Sequence, residues 1–352
     1  MDFDLDDTQR ELRDTARRFL EREAPTTYAR AMMDDERGYT DEVWKRMADL
    51  GWMALPFPEE HGGLDLGFVA LALVVTEMGR VVLPGPFLST MIGGLAIAEA
   101  GSDEQRARLL PSIVAGEARA TLAHLGDVEE RGGRLHGERR FVLDGHIAEH
   151  VVVVAHSADD EPGLFLAEPS ARIGAPTMDE TRKTAHLSFA GTDAEPLAKG
   201  GREVLHRAYD RACVLLAAEM LGCAERSTEL AVDYAKEREQ FGRPIGSFQA
   251  VKHRAADMHV EVESLRNAVY YAAWAIERDH PDAALAASMA KAYASDAARR
   301  VTQSCIQIHG GIGFTWEHDA HLYFKRVKLD EVAFGDATFH RDRVARLLEQ
   351  RA

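Results

Sequence analysis

The spacing of apolar side chains changes period twice along the chain. Near the amino terminus Leu5, Leu12, Ala16, Phe19 and Leu20 fall on one helical face, and Asp6-x-x-Gln9 supplies a cap for its start. Val43, Trp44, Met47, Leu50 and Met53 continue the helical pattern. A turn-rich break at Pro56-Phe-Pro-Glu-Glu-His-Gly-Gly63 comes next. Helical runs then resume from Phe68 to Val82 and from Met91 to Ala100, with Pro84 and Pro86 between them and Gly101 as a stop. From about Ala118 to Ala198 the period is that of strands. Arg139–Leu143 leads through an Asp144-Gly145 turn signal to Val151–Ala155, and Gly163–Ala167 and His186–Ala190 follow. Beyond Gly200 three long amphipathic stretches return to helical spacing. They run Leu216, Met220, Cys223, Ser227, Leu230, Tyr234, then Met258, Val262, Leu265, Val269, Ala273, Ile276, then Leu285, Met289, Tyr293, Ala297, Val301, Cys305. A fourth helix is expected after Asp330. The pattern predicts an α+β fold that is mainly α. It has an amino-terminal helical domain (residues 1–117), a small middle β domain (118–199) and a carboxy-terminal four-helix bundle (200–352).

Composition narrows the classes of function. The 352 residues suffice for two or three domains, and 46% hydrophobic with 28% charged content is ordinary for a soluble globular protein. No apolar run is long enough to cross a bilayer, and the acidic start lacks the form of a secretion signal. Three cysteines (Cys213, Cys223, Cys305) in helical patterns, with no metal spacing, read as buried small hydrophobes in a reducing, cytoplasmic protein. The net charge of -16 repels nucleic acid and anionic membrane. An anionic ligand therefore needs locally placed Arg or Lys.

Two segments carry the chemistry. Arg238-Glu-Gln-Phe-Gly-Arg-Pro-Ile-Gly-Ser-Phe-Gln249 and Gln307-Ile-His-Gly-Gly-Ile-Gly-Phe314 each begin at the end of a helical pattern and break into Gly-rich backbone. The first delivers Arg238 and Gln240 where Gly242 and Pro244 turn the chain. An arginine there pairs bidentately with a diphosphate, and Phe241 adds an aromatic face. In the second, Gly310-Gly311 admits close backbone approach to a ligand. His309, His318 and His321 with Asp319 form only a loose cluster, with His309 closing a helix and the others in a turn, so no metal site is expected. Arg139-Arg140 and Arg299-Arg300 read as solvent-exposed pairs, and Asp330-Glu331 as a solvated helix start.

In this order and at this separation the two segments resemble the carboxy-terminal half of the acyl-CoA dehydrogenase family of flavoproteins. The resemblance extends forward through Pro58-Glu-Glu-His-Gly-Gly-Leu-Asp-Leu-Gly67 and the middle β domain. In that family FAD lies across a subunit interface. By resemblance, Arg238, Gln240, Phe241, Gln249, Gln307, Gly310 and Gly311 match the half that a protomer donates to its neighbour's flavin: the pyrophosphate and adenosine side. The half used for a protomer's own flavin is altered. The expected threonine-glutamate-proline loop near Thr121–Asp127 is absent, and the tryptophan-x-threonine strand reads Phe141-Val142-Leu143. Counting from Lys328, the position of the family's catalytic glutamate falls on Phe334.

Desaturation of an acyl-CoA thioester needs a base to take the α-proton while the β-hydride passes to the flavin. Phenylalanine accepts no proton. The resemblance therefore implies a flavin-sharing subunit of a two-chain α2β2 acyl-CoA dehydrogenase. A second subunit would carry the base, with an acyl-CoA as substrate and an acceptor such as an electron-transfer flavoprotein. Two alternatives stand beside it. One is a self-sufficient homo-oligomeric enzyme using Asp210, Asp330 or Asp336 as base. The other is a flavin-free structural or binding homologue.

Overall fold

The computed structural model describes residues 5–157 and 159–351, so most of the acidic start lies outside the described residues. Six helices come first: α1 (Asp7–Glu23), α2 (Thr26–Met33), α3 (Asp41–Asp49), α4 (Gly67–Arg80), α5 (Phe87–Ala100) and α6 (Asp103–Val114). Seven strands follow: β1 (Ala120–Ala123), β2 (Val128–Arg131), β3 (Arg134–Leu143), β4 (His150–His156), β5 (Pro162–Ala167), β6 (Ala171–Gly174) and β7 (Thr184–Pro196). The remainder is α7 (Arg202–Glu237), a two-residue ladder β8 (Glu239–Gln240) and β9 (Arg243–Pro244), α8 (Gln249–Glu277), α9 (Ala283–His309), α10 (Ala320–Asp330) and α11 (Ala337–Glu349). The α+β, mainly α class is observed. Two shorter helices close the chain where periodicity pointed to one.

The chain forms two compact units. One comprises Arg30–Leu71 and Pro84–Ala212. Its strands run in the order β1-β4-β2-β3-β7-β5, and an additional β4–β5 pairing closes a circuit, with β6 on β7. Alternate side chains of β3, β4 and β7 fill the interior: Leu135, Val142, Val151, Val153, Leu187 and Phe189 are buried together. In β3 the register slips between Arg139 and Val142, and Phe141 there takes a left-handed φ of 49°.

The other unit comprises the chain up to Ala29, Ala72–Leu83 and everything from Cys213. At its start Asp6 and Gln9 form the expected capping box: Gln9 N donates to Asp6 Oδ1 at 2.8 Å and Asp6 N to Gln9 Oε1 at 3.1 Å. Ion pairs with at least one buried partner tie its helices. The Arg17 guanidinium grips the Glu77 carboxylate through two 2.8 Å bonds, and Arg80 reaches Glu225 at 3.2 Å and Glu229 at 2.7 Å. Arg326, fully buried on α10, donates to Glu219 at 2.7 Å. Removing one partner of such a pair leaves an uncompensated buried charge, at about 3–5 kcal/mol. These pairs tie α1 to α4, and α7 to α4 and α10.

Candidate functional site

Helix α7 ends at a tight hairpin. Arg238 N donates to Tyr234 O at 2.8 Å, and Ile245 N closes the hairpin base on Arg238 O at 2.7 Å. Gln240 pairs with Arg243, which leaves Phe241 and Gly242 as a two-residue tip with φ of 55° and 76°. Two consecutive positive φ values are the mark of a primed hairpin turn, whose first position favours Asn, Asp or Gly. A phenylalanine there costs about 1–2 kcal/mol, and its ring is 92% exposed. Local stability explains neither property. Arg243 lies 4.2 Å from the centroid of Phe248, and neither Arg238 nor Arg243 makes an ion pair among the described residues. Gln240 and Gln249 are also exposed.

Helix α9 stops where Gly310 takes φ 64° and ψ -138°, and a 3-10 turn runs from Gly310 to Phe314. Gln307, Gly310 and Gly311 are exposed, and Phe314 is 75% exposed. A Cβ placed on Gly242, Gly310 or Gly311 meets nothing within 4 Å. The backbone at all three positions thus faces open space. The two segments adjoin through Tyr234 and His309, whose rings stack at 4.4 Å and 27°. His309 is buried and its Nδ1–H donates to Cys305 O at 2.8 Å, while burial holds its pKa below the usual imidazole range. The structure therefore brings Arg238, Gln240, Phe241, Gln249, Gln307, Gly310 and Gly311 to the exposed ends of α7, α8 and α9. His321 departs from expectation. It lies buried within α10, not in a turn, and meets Trp316 edge-on at 5.0 Å.

The loop that carries Phe334 is built in the opposite way. Phe334 has φ 57° and is only 7% exposed. Its carbonyl accepts from His340 Nε2 at 3.0 Å and faces Cys213 Sγ at 3.8 Å. Lys291, fully buried on α9, donates through Nζ to Gly335 O at 2.9 Å and Glu331 O at 3.1 Å. Burial lowers the Lys291 pKa, and burial followed by the Lys291 charge pushes His340 down to about 4. Three inward groups thus face this loop's backbone.

The aspartates weighed as alternative bases are engaged in structure. Asp336 caps α11, its Oδ1 accepting from Phe339 N at 2.8 Å. Asp210 on α7 and Asp330 at the end of α10 are 5% and 1% exposed. Asp330 therefore ends a helix in the interior and does not open one in solvent.

In the β-rich unit, the segment between β1 and β2 is filled from within by Arg139. Its Nη1 donates to His124 O at 2.7 Å and to Gly126 O, and its Nε donates to Val154 O at 2.9 Å. Arg139 is buried, contrary to the solvent exposure read from its sequence, and burial pushes it down to about 10. His124 is pushed to about 4 by burial and then by Arg139. The other paired basics are held by carboxylates: Arg300 by Glu261 through two 2.8 Å bonds, Arg299 by Asp296 at 3.2 Å. Sequence reasoning missed the roles of Arg139 and Lys291, since a buried cation satisfied by carbonyls leaves no partner pattern to find.

The chain is similar to known proteins. The amino-terminal domain of acyl-CoA dehydrogenases matches residues 6–117, and the carboxy-terminal domain of acyl-CoA dehydrogenases matches residues 199–349. Over 316 residues the chain is 38% identical to the acyl-CoA dehydrogenase IpdE2 of Mycobacterium tuberculosis, covering 90% of this chain and 89% of that one. The chain belongs to the acyl-CoA dehydrogenase family. Among solved structures, the G363A variant of the Tcur3481–Tcur3483 steroid ACAD aligns with a TM-score of 0.90 at 32% identity, covering 98% of both chains. The ChsE4–ChsE5 complex of Mycobacterium tuberculosis aligns with a TM-score of 0.91 at 28% identity, covering 99% of both chains. No helix of the described residues is long and apolar enough to cross a membrane.

Proposed function

We propose that this chain is the flavin-sharing, base-lacking subunit of a two-chain acyl-CoA dehydrogenase. One contrast carries the reading. The residues that match the donated half of a flavin site are exposed, with open glycines and arginines that make no ion pair among the described residues, whereas the loop at Phe334 is buried and pinned from inside. The exposed set fits a dinucleotide. Arg238 supplies the cation for a diphosphate, Gly310 and Gly311 admit close backbone approach, and Gln240, Phe241, Gln249 and Gln307 flank them. When bound, FAD supplies the acceptor for the hydride that leaves the acyl chain.

On this reading the partner is a second acyl-CoA dehydrogenase-type subunit that carries the catalytic carboxylate and most of the flavin pocket. An electron-transfer flavoprotein is the fitting acceptor. The steroid ACAD pair and the ChsE4–ChsE5 complex among the similar structures support a two-chain assembly. The amino-terminal and middle domains (1–117 and 118–199) serve as framework. The α2β2 form and a cytoplasmic location belong to the same proposal.

The test is co-expression of the tagged chain with a family member that bears a glutamate at the position of Phe334, followed by flavin absorbance per protomer. About one flavin per heterodimer, little in the chain alone, and a marked loss in Arg238→Ala support the proposal. Stoichiometric flavin in the chain alone, with acyl-CoA oxidation, would transfer the assignment to a self-sufficient enzyme.

A further inference from the structure

Arg238 and Gly310 stand at the ends of different helices, and a column of rings joins those ends. Tyr234 lies one turn before Arg238 on α7, and its carbonyl accepts the Arg238 N–H at 2.8 Å. Its ring faces that of His309, the last residue of α9 and the neighbour of Gly310, at 4.4 Å and 27°. His309 in turn meets His318 at 4.2 Å and 50°. The middle ring cannot turn away. Its Nδ1 is held on Cys305 O, it is 4% exposed, and Gly313 packs so closely that a Cβ there lies 2.9 Å from His309 Cβ. The Tyr234 hydroxyl makes no hydrogen bond among the described residues, so the ring face makes the connection.

We propose that the Tyr234–His309–His318 column is the positioning device of the dinucleotide half-site, holding the arginine side and the Gly-Gly side at one spacing so that both engage FAD together. This rests on the reading that Arg238 and Gly310-Gly311 serve FAD. The physical gain lies in joint engagement: once one segment holds its part of the ligand, the other meets its part at high effective concentration, provided the geometry is fixed. FMN lacks the adenosine and the second phosphate. The column therefore matters for FAD and leaves FMN unaffected.

The experiment measures FAD and FMN dissociation constants by flavin fluorescence in the complex of this chain with its partner. Tyr234→Leu is expected to weaken FAD about tenfold, the equivalent of one or two aromatic pairs, and to leave FMN unchanged. Tyr234→Phe is expected to match the wild type. Equal weakening of FAD and FMN would reduce the column to general structural support and overturn the proposal. Arg238→Ala distinguishes failure of the column from failure of the flavin reading. If it weakens FAD while Tyr234→Leu does not, the column fails and the flavin reading survives. If Arg238→Ala changes nothing, the flavin reading itself fails. Should Tyr234→Leu yield no complex, His318→Ala, which leaves α7 unaltered, takes its place. Selective weakening of FAD in that variant then supports the column, and equal weakening of both flavins, or of neither, overturns it.

Discussion

Lys291 Nζ donates to the carbonyl of Gly335 at 2.9 Å from a position with no exposure to solvent. The same ammonium reaches Glu331 O at 3.1 Å, so one side chain spans both ends of the turn that contains Phe334. Lys291→Met keeps the volume and strands two carbonyls. A stranded buried carbonyl costs about 1–3 kcal/mol, and relief of the buried charge offsets part of the pair's loss. A fall in stability of about 2 kcal/mol is expected, read from urea denaturation. An unchanged midpoint would show that the turn holds without Lys291.

His340 gives the fold a pH dependence of definite sign. Its folded pKa is about 4, below the ordinary imidazole value of 6.5, so the unfolded chain takes up the proton first. The stabilisation is fully present above pH 6.5 and is lost as pH falls toward 4. By pH 5 about 2 kcal/mol of this group's contribution is lost. Urea midpoints at pH 7.5 and 5 are expected to differ less in His340→Gln than in the wild type. His124, also near 4, leaves a residual slope.

Phe334→Glu tests whether a base alone restores chemistry. The substitution puts a carboxylate at a site 7% exposed, where the nearby Lys291 already serves two carbonyls. The variant is expected to lose about 2–4 kcal/mol of stability and to show no acyl-CoA-dependent dye reduction without a partner. Turnover by the lone variant would contradict the two-chain proposal.

Phe241→Asn separates folding from binding. Asn suits a left-handed position at a primed turn, so chain stability is expected to hold or to rise by about 1 kcal/mol. On the two-chain proposal, flavin content of the complex with a partner is expected to fall, because the ring is lost. Thermal melts and flavin absorbance together decide it.

The sequence was legible where one large apolar stripe met one period, as in α1, α7 and α8. It was less so in α9, where Leu285, Met289 and Tyr293 form the conspicuous stripe. Met289 is in fact 53% exposed, and the buried face is the broad small-residue one of Ala286, Ala290, Ala294 and Ala298, with Lys291 on it. Small residues let neighbouring helices approach closely, and a stripe of large side chains does not reveal that. The strands β1, β2 and β6 have four residues each, too short for alternation to show, and β1 pairs with the non-adjacent strand β4, Ala120 lying opposite His150. Helix α10 was hidden by the polar run Trp316-Glu-His-Asp before it. The exposed ends of α7 and α9 stood out because Gly and Arg mark chain reversals and anion contacts locally. Arg139 did not, because its partners are backbone carbonyls that any sequence supplies.

The hairpin tip also bears on the solution behaviour of the isolated chain. Phe241 keeps nearly all its ring in water, and Phe314 most of its own. Apolar surface of this kind attracts any similar surface within reach, including that of another copy. The isolated chain is therefore prone to self-association, and on the two-chain proposal a partner that covers this tip would suppress it.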